Sequence, residues 1–146
     1  MNLRKNKSLR SEKGFTLIEV MVVIIILGLL AAVVAPKFFK NVDKAKWKTA
    51  KIQIEAFGTA LDNFRLDNDR YPNDEEGLKI LWEKPEDESL PGWNGPYLPK
   101  AVNEDPWGHA YIYKSPGEHG EYDIVSLGKD GEEGGEDYNK DVTSWE

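Results

Sequence analysis

Carboxylates and glycines are concentrated in a short segment near the C-terminus of this 146-residue chain. The segment DGEEGGEDYNKD, residues 130–141, contains six carboxylates, three glycines and one lysine. Calcium takes about six to eight oxygen ligands from carboxylates and backbone carbonyls, so this composition meets its requirements. An EF-hand is not indicated, because Gly134 occupies a ligand position and no helix pair flanks the segment. On composition alone, a solvated acidic tail is the simpler interpretation.

A second carboxylate of interest is Glu19, the only charged residue in the apolar run from Phe15 to Ala35. A helix of that length extends about 32 Å, which matches a hydrocarbon core of roughly 30 Å. The run therefore predicts a transmembrane helix over residues 15–35. An unpaired carboxylate at bilayer depth is costly, so Glu19 indicates a function. A cleavable secretory signal is the alternative, because AAVVA resembles a cleavage site.

The distribution of charge predicts how this helix is oriented. Residues 1–14 carry a net charge of +4, whereas the whole chain carries -7. A basic flank before an apolar run keeps the N-terminus in the cytoplasm, so residues 36–146 are expected to cross the membrane. The acidic balance makes a nucleic-acid partner improbable. The charged residues of the flank are Arg4, Lys5, Lys7, Arg10, Lys13 and Glu12.

Residues for common catalytic chemistry are few. The chain has two histidines and no cysteine, and it contains no nucleophile-elbow, zinc-protease or phosphate-loop motif. His109 lies in a Pro-Gly turn and His119 at a predicted hairpin tip, where exposed residues are common. We therefore predict that the chain is not an enzyme. A membrane-anchored periplasmic binding module is a further alternative, but it gives Glu19 no role.

The apolar run leads directly into an amphipathic segment. Apolar residues recur at intervals of three and four, which places them on one face of a helix. Only Gly28 and Pro36 weaken the helix in this region, so we predict one helix over residues 15–66, with 36–66 as its amphipathic continuation. These two residues mark where it could bend or unwind. The apolar face consists of Trp47, Ala50, Ile54, Phe57, Leu61 and Phe64.

Residues 67–146 predict a small globular domain. The segment DRYPNDEEGLKILWEKP is typical of a short helix that is capped by Asn73 or Asp74 and ended by Pro85. The segments AYIYK and EYDIVSL have the alternation of strands and are joined by the turn SPGEHG. We expect an α+β fold in which a small antiparallel sheet packs against the long helix. Its predicted core includes Leu78, Leu81 and Trp82.

The segment KGFTLIEVMVVIIILGLLAAVVAP resembles the signal and helix of type IV pilins and type II secretion pseudopilins. In that family a membrane peptidase, the prepilin peptidase, cuts after the glycine and methylates the new N-terminal amine. The resemblance implies that residues 1–14 form a cleaved leader, that Gly14 precedes the cut and that Phe15 is the methylated first residue. It also implies that Glu19 pairs with the Phe15 amine of a neighbouring subunit and that the stretch from Gly28 to Pro36 loosens on assembly.

The later segments LDNDRYP, GLKIL, GPYLPK, DPWGHAYIYKSPGEHGEYDIVSLGKDGEEGG and DVTSW resemble the major pseudopilins of type II secretion. Type IV pilins commonly close their C-terminal region with a disulfide, and this chain has no cysteine. A type IV pilus subunit is the second interpretation. The resemblance implies a type IV pilin-like fold with one structural calcium ion in the C-terminal loop. The implied ligands are Asp130, Asp141 and the Leu127 carbonyl, with Glu132, Asp137 and the Tyr138 carbonyl as secondary candidates.

The same resemblance implies a function, partners and a location. The chain is expected to polymerise into a helical periplasmic filament that drives folded proteins across the outer membrane. Its expected partners are further copies of itself, minor pseudopilins, inner-membrane assembly platform proteins and the prepilin peptidase. It is expected to cross the bacterial inner membrane once, with the N-terminus in the cytoplasm and the C-terminal domain in the periplasm.

Overall fold

The computed structural model of the chain describes residues 14–86 and 90–146. Helix α1 is followed by a short 3-10 helix and three strands, which is the expected α+β order. Of the predicted leader, residues 1–13 lie outside the described residues. The elements are α1 (Leu17–Asn68), the 3-10 helix (Leu78–Leu81), β1 (Ile112–Lys114), β2 (Asp123–Ser126) and β3 (Val142–Thr143).

Helix α1 has 52 residues and passes through both Gly28 and Pro36. It ends two residues later than predicted, and the reason lies in its C-terminal cap. Asp69 has φ 58°, and its N–H donates to the Arg65 carbonyl at 2.8 Å. This left-handed residue closes the last turn by satisfying a free carbonyl. The Asn68 side chain also donates to the Phe64 carbonyl at 2.9 Å, within the same last turn.

The chain divides into two compact units within α1, at Phe39 and Lys40. In the N-terminal unit, the large apolar side chains of α1 are exposed, as Ile24 at 63% and Leu29 at 67% show. Among the described residues α1 is the one helix that is long and apolar enough to cross a membrane. The predicted membrane segment therefore forms a helix whose apolar side chains are left uncovered by residues 14–86 and 90–146.

The C-terminal unit, residues 40–146, is built around the predicted apolar face of α1. Five of its six members are buried, and Trp47 is partly buried against the same core. Phe57 packs edge-on against Tyr111 with ring centroids 5.0 Å apart, and Ile124 of β2 belongs to the same cluster. The 3.6-residue period thus correctly predicted which face of α1 is buried.

The sheet has the order β1-β2-β3 and is antiparallel throughout. Tyr113 lies opposite Ile124 in the first pair, and Ser126 lies opposite Val142 in the second. β1 and β2 fall within the two predicted strand segments. β3 has only two residues, which is too short for alternation to reveal.

The predicted helix before Pro85 is much shorter than expected. Asn73 and Glu76 exchange hydrogen bonds, since each side chain accepts from the other's backbone N–H at 2.8 and 2.9 Å. Gly77 then has φ 57°, which interrupts the turn and leaves a 3-10 helix of four residues. Leu78 and Leu81 are buried as predicted, whereas Trp82 is only partly buried.

Candidate functional site

The predicted processing site lies in an exposed, non-helical segment before α1. Gly14 and Phe15 precede the helix, and Phe15 is 87% exposed. A Cβ at Gly14 would meet no atom within 4 Å. Because the segment is not helical, the peptide bond between these residues has no helical hydrogen bonds to break before it enters an active site.

Glu19 forms a capping box with Thr16 at the start of α1. The Glu19 Oε2 accepts hydrogen bonds from the Thr16 backbone N–H and the Thr16 hydroxyl, both at 2.8 Å. The Thr16 hydroxyl in turn accepts from the Glu19 N–H at 3.3 Å. This reciprocal pair satisfies two free backbone donors of the first turn. The prediction for Glu19 did not include this contact, although Thr followed three residues later by Glu is its recognised signal.

Both bonds that Glu19 accepts end on the same oxygen, Oε2. The carboxylate is therefore held within its own chain, while Oε1 is directed to neither of these donors. Glu19 is thus oriented at the start of the helix and still able to accept from a further donor. Glu19 can therefore accept a hydrogen bond from a second partner through Oε1 while Oε2 keeps its bonds to Thr16.

The strand pair β2-β3 brings the two ends of the acidic segment together. Ser126 pairs with Val142, so the neighbouring residues Leu127 and Asp141, both predicted ligands, begin and end one closed loop. We call residues 127–141 the acidic loop. The loop is closed further by the Lys129 N–H, which donates to the Tyr138 carbonyl at 3.1 Å.

Glycines allow the acidic loop to fold back on its own backbone. Gly128 has φ 65° and Gly135 has φ 86°. A Cβ on these two residues would lie 2.8 and 2.5 Å from the Asn139 carbonyl oxygen, closer than atoms can pack. Both positions therefore require glycine for conformation and for space.

The predicted calcium ligands have unequal surroundings. The Asp141 Oδ2 accepts from the Gly134 N–H at 3.0 Å, but its Oδ1 is buried and has no hydrogen-bond partner. The Asp130 Oδ1 accepts from the Glu132 N–H at 3.2 Å. Glu132 and Asp137 are exposed. The Tyr138 carbonyl already accepts from Lys129, although a carbonyl oxygen has a second lone pair.

A buried carboxylate oxygen without a partner is costly, and a cation removes that cost. The residues present fit calcium in this respect, with Asp141 as the central donor and backbone carbonyls as further donors. Within residues 14–86 and 90–146, no three His, Cys, Asp or Glu side chains are grouped as a metal site. The donor set that remains is therefore one in which carbonyl oxygens supply much of the shell.

The start of the acidic loop rests on Asp105, which the sequence did not single out. Its carboxylate is buried and accepts from the backbone N–H groups of Trp107 and His109, both at 2.9 Å. The Ser126 hydroxyl donates to the other oxygen at 2.6 Å. Ser126 immediately precedes the loop, so Asp105 fixes the point where the loop begins.

His109 is not the ordinary exposed turn residue that we predicted. Its ring is partly buried, and Nδ1 lies 3.0 Å from the Gly128 carbonyl oxygen. His119 also has specific contacts, since its Nδ1 is 3.0 Å from the Asp123 carboxylate and its ring stacks on Trp145 at 3.8 Å. The contacts with Gly128 and Trp145 join residues distant in sequence, so local spacing gave no signal for them, whereas Asp123 is only four residues from His119.

The fold and both sites were compared with known proteins. Residues 9–35 match the family described as "Prokaryotic N-terminal methylation motif". Residues 37–145 match the family described as "Type II secretion system (T2SS), protein G". The first match covers Gly14, Phe15 and Glu19, and the second covers the acidic loop.

Curated relatives match the sequence of this chain over nearly their whole length. The chain is 46% identical over 138 residues to "Type II secretion system core protein G" of Pseudomonas aeruginosa, covering 94% of this chain and 97% of the relative. It is 44% identical over 140 residues to the protein of the same name from Vibrio cholerae, covering 95% of each.

A solved structure is similar as well. The crystal structure of the major pseudopilin from the type 2 secretion system of enterohaemorrhagic Escherichia coli matches with a TM-score of 0.58 and 36% identity, over 72% of this chain and 90% of that one.

An exposed apolar helix that begins at a methylation motif and continues into an α+β unit defines a protein of the type IV pilin-like class. Within that class, the chain belongs to the type II secretion system protein G family, the major pseudopilins. The resemblance noted in the sequence is confirmed. So is the prediction that the chain is a structural subunit and not an enzyme, because that is the nature of the family.

Proposed function

We propose that the mature chain polymerises into a helical homopolymer in which Glu19 of one subunit pairs with the Phe15 amine of the next. The observation that carries this proposal is an oriented carboxylate with one oxygen outside its own cap, at the start of a helix whose apolar side chains are exposed. Cleavage after Gly14 supplies the complementary ammonium. A buried charge pair offsets two desolvation costs and tolerates no wrong register.

The exposed apolar surface of the N-terminal unit supports the same proposal. An apolar helix stays exposed in a membrane or becomes covered by other helices. Identical subunits that add by a heterologous contact form an open filament when the rotation does not close. Lipid covers this helix before assembly, and neighbouring copies cover it afterwards.

Glu19→Gln tests the pairing, because the amide keeps the size of the side chain and removes its charge. We expect it to abolish or strongly reduce filament assembly and secretion while the subunit stays in the membrane. Glu55→Gln is the matched control, since Glu55 is an exposed residue of the same helix. Normal assembly of the Glu19 variant would refute the pairing.

The proposal also includes how the chain is processed, how it is oriented in the membrane and which proteins it assembles with. The prepilin peptidase cuts between Gly14 and Phe15 and methylates the new amine, with residues 1–14 as the leader, 15–35 as the membrane span and 67–146 as the globular domain. The N-terminus faces the cytoplasm and the C-terminal domain faces the periplasm, as the basic flank favours. Minor pseudopilins and inner-membrane platform proteins complete the assembly that drives folded proteins across the outer membrane.

We further propose that the acidic loop binds one structural calcium ion. The buried, unpartnered Oδ1 of Asp141 supports this proposal, as do the glycines that fold the loop back on its carbonyls. Asp130, Asp141 and the Leu127 carbonyl are the proposed ligands, with Glu132, Asp137 and the Tyr138 carbonyl as secondary candidates. Calcium would supply positive charge that neutralises the loop and orders it.

Thermal unfolding of the detergent-solubilised chain in calcium and in chelator tests this site. Ligand at about 100 times its dissociation constant adds about 2.7 kcal/mol of stability, so we expect calcium to raise the midpoint by several degrees. Magnesium should do much less, because it keeps its waters and demands octahedral geometry.

Asp141→Ala should remove the response to calcium, whereas Glu133→Ala, in the same loop but outside the proposed ligands, should keep it. An equal midpoint with calcium and with chelator in the unaltered chain would refute the site.

A further inference from the structure

Two turns of α1 contact the acidic loop and the strand that follows it, β3. At the start of the loop, the Lys129 ammonium lies 2.8 Å from the Asp43 carboxylate. Lys129 is exposed, but the Asp43 side chain is only 16% exposed. Lys129 directly precedes the proposed ligand Asp130, so this contact ties the first part of the loop to the helix.

The second contact lies on β3, the strand that follows the loop. Lys51 donates from its ammonium to the Thr143 carbonyl at 3.3 Å and also to the Glu146 carbonyl. Thr143 follows the proposed ligand Asp141 by two residues. Lys51 therefore holds the strand that carries the chain out of the acidic loop.

The two helix residues are placed to act together. Asp43 and Lys51 are eight residues apart, a little over two helical turns, so their side chains point about 80° apart around the helix axis. Trp47 lies midway between them and packs against the core. These turns of α1 are thus connected to the chain just before Asp130 and just after Asp141.

We propose that Asp43 and Lys51 are positioning residues that couple the order of the acidic loop to the α1 turns from residue 43 to residue 51. Calcium binding to the loop then stabilises these turns, and an intact helix favours calcium binding in return, because coupling between two sites is reciprocal. The inference rests on the proposed calcium site and adds a second element that responds to the ion.

The structure favours coupling over two independent surface contacts. An isolated exposed ion pair contributes little, because holding two mobile side chains offsets its attraction. Here the helix partner Asp43 is mostly buried, and Lys51 donates to the Thr143 carbonyl of β3, which moves only when the strand moves. A displacement of Lys129 or of β3 therefore changes the contacts that hold these turns of α1.

The coupling has a consequence for assembly. The stretch from Gly28 to Pro36, which we expect to loosen in the filament, ends seven residues before Asp43 in sequence. Turns that are fixed to a calcium-ordered loop resist unwinding. Calcium would then set the point along α1 beyond which loosening cannot continue.

Hydrogen-deuterium exchange of the detergent-solubilised full chain, with calcium or with chelator, tests the coupling. We expect calcium to slow exchange in peptides that cover residues 127–141 and also in those that cover residues 43–51. For the helix peptides we expect a difference of about fivefold, the lower end of coupling between sites. Helix residues 57–64, which are buried in the core, exchange only through large openings and therefore report the overall stabilisation by calcium, against which the protection of residues 43–51 is compared.

Asp43→Asn and Lys51→Gln each remove one contact and should reduce the calcium effect on residues 43–51, while the loop peptides keep theirs. Lys48→Gln is the matched control on the helix, because Lys48 is exposed and has no ion pair within the described residues. Lys114→Gln is the control for an exposed pair that does not reach α1.

The outcomes separate the coupling from the calcium site itself. Protection of the loop without protection of residues 43–51 would overturn the coupling and leave the calcium site standing. An absence of calcium protection in both regions would overturn both proposals. Protection of both regions that persists in the double variant Asp43→Asn, Lys51→Gln would assign the effect to other contacts and refute the role of these residues.

Discussion

The part of α1 in the N-terminal unit and the part in the C-terminal unit differ in how their apolar side chains are covered. Ile24 in the N-terminal unit is 63% exposed, whereas Phe57 and Leu61 in the C-terminal unit are 1% and 0% exposed. Both regions belong to one continuous helix. The difference teaches that the C-terminal unit completes its own core, while the N-terminal unit depends on lipid or on other subunits.

Their carboxylates differ in the same way. Asp105 in the C-terminal unit is buried and accepts three hydrogen bonds from its own chain. Glu19 in the N-terminal unit is exposed and is bonded through one oxygen. Asp105 is buried with both oxygens bonded within its own chain, whereas Glu19 is exposed and keeps one oxygen outside its cap, which fits a structural role for the first and an assembly role for the second.

The largest expected effect tests the contrast in apolar cover. Phe57→Ala should destabilise the C-terminal unit by about 3–5 kcal/mol, because it removes a buried ring and leaves a cavity. Urea unfolding of the detergent-solubilised chain, followed by tryptophan fluorescence, measures the loss. All five tryptophans lie after residue 46, so the signal reports the C-terminal unit.

Ile24→Ala is the matched change in the N-terminal unit. It should shift the same unfolding curve by less than about 0.5 kcal/mol, because exposed substitutions away from the core have small effects. Equal losses of stability for Phe57→Ala and Ile24→Ala would contradict the difference in apolar cover between the two units.

The next effect tests the contrast between carboxylates. Asp105→Asn removes the charge that accepts three hydrogen bonds and should cost about 2–3 kcal/mol, since bonds to a buried charged group are the strong ones. Ser126→Ala removes one of the three and should cost about 1 kcal/mol. Guanidinium or urea unfolding gives both values. A variant as stable as the original chain would show that this network does not hold the loop in place.

The smallest effect concerns an ion pair outside the core. Two hydrogen bonds from the Arg70 guanidinium, both 2.7 Å long, hold the pKa of Glu76 below its ordinary value of 4.5. A lowered folded pKa gives stability that is present above the unfolded pKa and is lost as the pH falls through the folded value. Glu76→Gln should therefore cost about 0.5–1 kcal/mol at pH 7.

Once the pH is well below the lowered folded pKa of Glu76, the variant and the original chain should become equally stable, because Glu76 is then protonated in both folded and unfolded chains. Unfolding curves at a series of falling pH values provide the test. A difference in stability that does not shrink as the pH falls would mean that the charge of Glu76 is not its cause.

Much of the fold was predictable because it depends on local periodicity. The spacing of apolar residues correctly predicted the helix and its buried face, and alternation located β1 and β2. The 3-10 helix was mispredicted because the φ of 57° at Gly77 overrides the apolar pattern around it. β3 was missed because two residues show no period, and pairing with β2 decides their conformation.

The candidate sites were predictable in part. Gly14, Phe15 and Glu19 belong to one contiguous stretch that matches the methylation motif, so the sequence alone made them candidates, and their roles stay predictions. Asp105, Ser126 and His109 meet through the fold, and neither their types nor their spacing indicated a common role. The calcium ligands remain a prediction that rests on composition, on the resemblance and on the unpartnered oxygen of Asp141.

The central claim is that Glu19 pairs with the amine made by cleavage of a neighbouring subunit. A cryo-electron microscopy structure of the assembled filament measures it most directly, as the distance between a Glu19 carboxylate and the nearest Phe15 nitrogen of another subunit. We predict a distance within hydrogen-bond range, about 2.7–3.2 Å. A filament in which each Glu19 contacts only its own chain, with every neighbouring amine farther away, would contradict the account.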